Sequence, residues 1–196
     1  PEALKIVEAV PATLIGLILA RVDLLDKESR RVLQIISILK HPFDLQIVQT
    51  LDGLNAQAAR QNVQTLIQRD FLTPQDDSLE DTYIFRHYLA RDAVYDTLLT
   101  RDQKRLHLEA GKQIEASAKI MTTDVVELLI FHFLRSKEPF RAIPYLLEGA
   151  DGAARRFAHE TAIEQFQKLL LLTENSDFHD ELVILRARVG MGKALK

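Results

Sequence analysis

Histidines are the side chains of this sequence whose chemistry could most readily bind a metal ion or transfer a proton. They are His41, His87, His107, His132, His159 and His179. No two of them are three or four residues apart, which excludes a two-histidine metal site on one helix face. His132 lies between two phenylalanines, and we interpret it as a packed helix residue rather than a ligand.

A group of carboxylates is the second candidate. Asp76, Asp77, Glu80 and Asp81 lie together on one predicted loop. Clustered carboxylates can bind calcium, but the central glycine and terminal glutamate of a calcium-binding loop are missing here. We therefore interpret the cluster as a solvated loop.

One short segment is similar to a phosphate-binding loop. Residues 189–193 read Val-Gly-Met-Gly-Lys, but no strand is predicted before them and no hydroxyl residue follows the lysine to hold Mg²⁺. We interpret the two glycines as positions of close helix packing. The sequence also has no cysteine and no Gly-x-Ser-x-Gly elbow. It therefore predicts a chain that is not an enzyme, with no catalytic residues, metal or cofactor of its own.

Composition narrows the class of protein. The 196 residues are 47% hydrophobic and 27% charged, as in ordinary globular proteins, and the net charge of -3 produces no general attraction to nucleic acid. The longest apolar run, residues 12–25, is interrupted by Arg21 and Asp23, so no bilayer-spanning segment is predicted. We expect a cytoplasmic protein without membrane contact. Because residue 1 is proline rather than methionine, we also expect a piece of a longer protein.

The elements that must position these residues begin with short helices. Pro11 is placed to start a helix, and Asp26, Asp44 and Asn55 are placed to cap three more, predicted at Lys27–Leu39, through Leu51 and at Asn55–Arg69. Two short strands follow, at Phe71–Thr73 and Thr82–Arg86. Three helices and a β-hairpin in this order are typical of a winged helix-turn-helix. We assign residues 1–100 to this domain.

The rest of the chain is predicted to be entirely helical. The predicted helices are His87–Leu99, Asp102–Ala118, Val125–Arg135 capped by Thr123 or Asp124, Phe140–Phe157, Glu160–Leu172 and Asp177–Leu195. Short turns between them favour antiparallel neighbours, and recurring alanines allow close approach, as in a tetratricopeptide-like array of irregular period. We assign this array to residues 101–196. The predicted fold class is mainly α, a winged helix with a small hairpin followed by this array.

Binding to DNA is the alternative function for a winged helix. The predicted helix Asn55–Arg69 carries glutamines and arginines that can read base edges. However, residues 72–84 of the predicted wing contain four acids and no lysine or arginine, which would repel the phosphates that supply most duplex affinity. The acidic residues of the wing therefore favour a winged helix that serves as a packing module over one that binds DNA.

Two segments resemble a known family. Residues 10–25 read VPATLIGLILARVDLL and residues 32–39 read VLQIISIL. Residues 83–99 read YIFRHYLARDAVYDTLL, and Arg105-Leu106-His107 follow. Both are similar to the region after the ATPase core in STAND-type, AAA-related bacterial signalling ATPases, which are fused to adenylate/guanylate cyclase or transcription-factor domains and carry tetratricopeptide repeats. The tail, residues 185–195, resembles the first helix of another such repeat. Lys40-His41-Pro42-Phe43 and the acidic wing depart from the family's pattern.

The resemblance implies a regulatory role that couples the nucleotide state of an upstream ATPase core in the same chain to an effector such as a nucleotide cyclase. It implies ATP or ADP only in a full-length protein that contains that core, and a protein partner on the helical array. In related ATPases a histidine at the junction of wing strand and helix contacts the phosphates of ADP. His87, with Arg86 beside it, matches that position, and capping or packing is the alternative role for His87.

Overall fold

The computed structural model describes residues 12–39, 42–75, 81–174 and 180–194. Several sequence predictions fall outside these residues: the helix start at Pro11, the acidic residues Asp76, Asp77 and Glu80, the histidines His41 and His179, and the ends of the last predicted helix at Asp177 and Leu195. The described part is mainly helical, with ten α-helices and one small antiparallel sheet. None of the described helices has the length and apolar character needed to span a membrane.

The chain divides into two compact units, Pro1–Leu106 and His107–Lys196. The helices of the first unit are α1 Ala12–Asp23, α2 Lys27–Ser37, α3 Leu45–Asp52, α4 Ala56–Gln68 and α5 Tyr88–Asp96. Helix α6, Thr100–Ser117, contains the division between the units. The domain boundary expected between residues 100 and 101 falls in the first turn of α6, whereas the two units divide after Leu106.

The predicted caps define the helix starts in the first unit. The Asp26 carboxylate accepts hydrogen bonds from the backbone N–H groups of Glu28 and Ser29 at 3.0 and 2.9 Å. These bonds, chiefly the one from Ser29, lower the pKa of Asp26. Asp44 caps α3 and Asn55 caps α4 in the same way, at 2.7 and 2.8 Å. All three caps confirm the predictions, because the capping bond depends only on residues close in sequence.

The sheet has three strands rather than the predicted two. Its order is β1-β3-β2, formed by Phe43–Asp44, Thr82–Phe85 and Leu72–Pro74. The predicted hairpin corresponds to β2 and β3, with Leu72 opposite Phe85. Strand β1 was not predicted, because two residues are too few to show an alternating pattern. It pairs Phe43 with Tyr83 on the other edge of β3.

The core of the first unit is centred on α2. Val32, Leu33 and Ile36 are fully buried there, and α2 packs against α3, α4 and α5. A buried hydrogen bond of 3.0 Å from the Ser29 hydroxyl to the Asn62 side chain joins α2 to α4. These contacts position α4 against α2, and α4 in turn packs on β2 of the hairpin.

The second unit contains the remaining helices. They are α7 Thr123–Leu134, a 3₁₀ turn at Pro139–Ala142, α8 Ile143–Arg155, α9 His159–Glu174 and α10 Glu181–Ala194. Phe133, Leu146, Phe166 and Leu169 form its fully buried centre. Several of the expected alanines are also buried where α8 packs on α9, namely Ala142, Ala150, Ala153 and Ala162. Small side chains at these positions allow the helices to approach closely.

Two helix predictions in this unit need correction. The predicted helix Phe140–Phe157 is a 3₁₀ turn followed by α8, with Pro139 as the first residue of the turn and Pro144 as the second residue of α8. Proline is well tolerated in the first turn of a helix, because the N–H group that it lacks would have no hydrogen-bond partner there. Phe157 has a φ of 60° and lies outside the helix. The cap of α7 is Thr122 rather than Thr123 or Asp124, since its hydroxyl accepts from the Val125 N–H.

The segment similar to a phosphate loop lies inside α10. A Cβ added at Gly190 would overlap the buried ring of Phe166 on α9. A Cβ added at Gly192 would meet nothing within 4 Å. The interpretation of close helix packing is therefore confirmed for Gly190 and wrong for Gly192.

This difference predicts opposite effects of one substitution at two neighbouring sites. Gly190→Ala should destabilise the chain by about 1–3 kcal/mol, because the Phe166 ring is enclosed and must move. Gly192→Ala should stabilise it by up to about 1 kcal/mol, because alanine is the better helix residue. Urea denaturation of the 196-residue chain measures both. Equal shifts for the two variants would contradict the packing of α10 on α9.

Candidate functional site

The junction between β3 and α5 places His87 at a helix N-terminus. Strand β3 ends at Phe85 and α5 begins at Tyr88. His87 is the cap residue, with an extended backbone at φ -135° and ψ 123°, but its side chain makes no capping hydrogen bond. The imidazole is exposed, and among the residues that the structure describes no side chain accepts a hydrogen bond from the first amides of α5. A helix start of this kind has donor groups and a partial positive charge available for an anion.

Arg86 is already paired with a carboxylate. Its Nη1 donates to Asp70 Oδ1 at 2.6 Å, and its backbone N–H donates to the carbonyl of Phe71 at 2.9 Å. Asp70 has a φ of 58°, a left-handed conformation at the turn that leads into β2. Both side chains of the pair are at least half exposed, so the pair contributes little to stability. A phosphate at this junction would therefore compete with Asp70 at low cost.

A groove of about 380 Å³ opens beside this junction. Its apolar wall is formed by Leu14, Leu17 and Ile18 of α1 and by the start of α5. Arg21 lies at its edge, where the guanidinium stacks 4.9 Å from the centre of the Phe71 ring and donates to the carbonyl of Arg69 at 2.6 Å. We name this feature the α1–α5 groove. Its apolar wall and cationic edge suit a ligand with an apolar body and an anionic group.

His87 and Arg86 both line the α1–α5 groove, so the two predicted residues lie at one site. The groove, Arg21 and Asp70 were not predicted. The apolar spacing in α1 indicated a helix but not that Leu14 and Leu17 would remain exposed, at 39% and 61%. Only the packing of α1 against α5 brings these residues to the junction.

A buried histidine pair lies elsewhere in the molecule. The Nδ1 atoms of His107 on α6 and His132 on α7 are 3.0 Å apart, and both rings are buried. The interpretation of His132 as a packed residue is confirmed. This pair was not predicted, because the two histidines are 25 residues apart in the sequence rather than three or four. Within the described ranges, no group of three or more histidine, aspartate or glutamate side chains is arranged to hold a metal ion.

A second polar cluster joins α6 to α8. The Glu115 carboxylate accepts hydrogen bonds from Arg141 Nη2, at 2.6 Å, and from the Tyr145 hydroxyl. The Tyr145 ring stacks on Phe133 with centroids 5.8 Å apart. Burial, together with the hydrogen bond to Glu115 and its negative charge, raises the pKa of Tyr145 to about 12. The tight bonding within the cluster indicates a structural role.

The exposed face of α4 bears on the DNA alternative. Gln57, Arg60, Gln61, Gln64 and Gln68 are all exposed along this helix. Arg60, however, donates to Asp81 Oδ2 at 2.7 Å, so one of the wing acids offsets its charge. The face offers hydrogen-bonding groups but little uncompensated positive charge for phosphates.

No protein-family model, curated protein or solved structure matches this chain.

The Glu115 cluster predicts a specific alkaline titration. Because the pKa of Tyr145 is raised to about 12, the folded state favours the neutral phenol. This stabilisation is complete below the phenol's ordinary pKa of 10 and is lost as the pH rises through about 12. The ultraviolet titration curve of the wild-type chain, after subtraction of the curve of Tyr145→Phe, should show one phenol that ionises near pH 12.

Glu115→Gln is the matched variant. Removing the carboxylate charge should lower the pKa of Tyr145, while burial keeps part of the increase. A Tyr145 that titrates as an ordinary phenol in the wild-type chain would contradict the cluster.

Proposed function

We propose that this chain is a non-catalytic regulatory and protein-interaction region of a bacterial multidomain signalling ATPase of the STAND type. The first unit would act as a winged-helix domain that responds to the nucleotide state of an upstream ATPase core. The second would act as a tetratricopeptide-like array for a partner protein. The output would be an effector such as a nucleotide cyclase, and the protein would be cytoplasmic.

Several features support the proposed domain types. The order α2, β1, α3, α4, β2, β3 and the antiparallel three-stranded sheet support the winged helix. The packing of α7 on α8, α8 on α9 and α9 on α10, with buried alanines between them, supports the helical array. The family itself rests on the resemblance of residues 10–39 and 83–107.

The arrangement of His87 is the observation that carries the proposal. The residue begins α5 without a capping hydrogen bond from its own side chain, and it lines the α1–α5 groove next to Arg86. A phosphate of ADP could accept hydrogen bonds from the imidazole and from the first amides of α5. Arg86 could exchange Asp70 for the phosphate, since an exposed ion pair is worth about 0–1 kcal/mol.

The proposal predicts a loss of ADP affinity in a protein that carries this chain together with its ATPase core. His87→Ala should weaken ADP binding about tenfold to a hundredfold, as expected for loss of a hydrogen bond to a charged group. Asp70→Asn should strengthen it modestly, because the competing charge is removed and asparagine tolerates the left-handed backbone. Calorimetric titration with ADP measures both effects.

His159→Ala is the control for this experiment, because His159 is an exposed histidine at the start of α9 in the other unit. It should leave ADP affinity unchanged. If His87→Ala also leaves ADP affinity and basal activity unchanged, the proposed contact of His87 with the ADP phosphates is wrong. ATP turnover by the 196-residue chain alone would contradict its proposed non-catalytic role.

A DNA-binding transcriptional regulator is the second candidate, supported by the glutamine-rich face of α4. It makes a distinct prediction. A DNA-binding chain should retard a duplex at low salt, with affinity that falls steeply as salt increases, and Gln64→Ala should change its sequence preference. Our proposal predicts no retardation at any salt concentration.

A further inference from the structure

The α1–α5 groove has properties of a small-molecule site that the proposed contact with ADP does not use. Its volume of about 380 Å³ lies within the usual range for ligand-binding clefts, roughly 300–1,000 Å³. At about 30 Å³ per water-sized group, the groove has room for about twelve atoms other than hydrogen. This size suits a small molecule and is too small for a packed helix.

The wall of the groove on α1 presents apolar side chains to solvent. Leu14 is 39% exposed and Leu17 is 61% exposed, whereas the neighbouring Ile18 is buried. Tyr88, at the start of α5, lines the same groove and is also exposed. Apolar surface gathered in one concave patch is typical of a binding site, because a ligand that covers the patch removes it from water. The wall therefore suits a ligand with an apolar body.

Arg21 supplies a fixed cation at the edge of this wall. Its Nη2 donates to the carbonyl of Arg69 at 2.6 Å, and its guanidinium stacks on the buried ring of Phe71. Both contacts hold the group in place, but both partners are neutral, and within the described ranges Arg21 forms no ion pair. A guanidinium has five N–H donors, and its planar edge matches the two oxygens of a carboxylate.

The remaining charges of the lining leave one positive charge in excess. Arg86 and Asp70 form an ion pair of 2.6 Å, so their charges cancel. The uncompensated charge of the groove lining is therefore that of Arg21. An anion with a single charge balances it, whereas a cation is repelled. A neutral ligand that displaced water from the guanidinium would leave its donors without acceptors, which is unfavourable.

From the apolar wall and the uncompensated Arg21 we propose that the α1–α5 groove binds a small monocarboxylate with an apolar tail, of the medium-chain fatty acid class. The carboxylate accepts hydrogen bonds from Arg21, and the tail lies against Leu14 and Leu17. A ligand of about twelve heavy atoms, the size of decanoate, fills the groove. The inference goes beyond the proposed function, since it requires neither an ATPase core nor the His87 imidazole.

The test is a calorimetric titration of the 196-residue chain with decanoate, kept below the concentration at which decanoate forms micelles. We expect saturable binding of one decanoate per chain. Decanol has the same tail without the charge and should bind at least about tenfold more weakly, as for a lost hydrogen bond to a charged group. The shorter hexanoate should also bind more weakly, by up to about fourfold for each methylene that no longer covers the wall.

Two substitutions test the two halves of the site. Arg21→Gln should weaken decanoate binding at least about tenfold, because the carboxylate loses its charged donor. Leu17→Gln should weaken it about fivefold or more, because the tail loses an apolar contact. Leu17 is largely exposed on a helix and glutamine is a good helix residue, so this second variant should fold with unchanged stability even if loss of the stack on Phe71 destabilises the first.

Arg101→Gln and Leu24→Gln are the matched controls. Arg101 is an exposed arginine and Leu24 an exposed leucine of the same unit, and neither lines the groove. Both variants should bind decanoate as the wild-type chain does. Urea denaturation of all four variants separates a loss of binding from a loss of folding.

Four results would overturn the proposal: no saturable binding of decanoate, equal binding of decanol, unchanged binding in the folded Leu17→Gln chain, or self-association of the chain that Leu17→Gln abolishes. The last result would mean that a second copy of the chain occupies the groove. The ADP experiment uses His87→Ala in a protein that carries the ATPase core, so either proposal can fail while the other stands.

Discussion

The register of the β2–β3 hairpin determines what the first unit can present at its surface. Leu72 lies opposite Phe85, and the bond from the Arg86 N–H to the Phe71 carbonyl extends the pairing by one residue. Side chains alternate along a strand, so burial of Phe85 requires that Arg86 points outward. A slip of one residue would bury an arginine and expose a phenylalanine. The core therefore enforces the position of Arg86, and with it the start of α5 at Tyr88.

In the second unit, glycines and alanines allow the helices to pack closely against one another. Gly149 and Gly190 lie against Gln165 and Phe166 of α9, where a Cβ would overlap the neighbouring side chain. Alanines between α8 and α9 bring these helices together in the same way. Gly152 differs, because the groups nearest to it are guanidiniums that extend towards solvent-exposed space rather than core atoms. The same residue type thus allows packing at some positions and leaves an open slot at another.

Most features that depend on neighbouring residues were predictable from the sequence, although the cap of α7 was placed at Thr123 or Asp124 instead of Thr122, whereas features that depend on long-range contacts were missed. The caps Asp26, Asp44 and Asn55 were correct because each bonds an amide two or three residues away. The missed features include the short strand β1, the His107–His132 pair and the α1–α5 groove. Each of them joins residues from different elements. His87 was found by resemblance, and its lack of a side-chain cap could be seen only in the structure.

The strength of the interactions at the α1–α5 groove bears on how a ligand could act there. A ligand shifts an equilibrium only by the difference in its affinity for the two states. At the α1–α5 groove the partner of Arg86 is an exposed carboxylate, so exchanging it for a phosphate changes the free energy little and leaves the core around Phe85 intact. A ligand at this groove could therefore bind without disturbing the buried core. This is the arrangement expected where binding regulates a folded module rather than creating one.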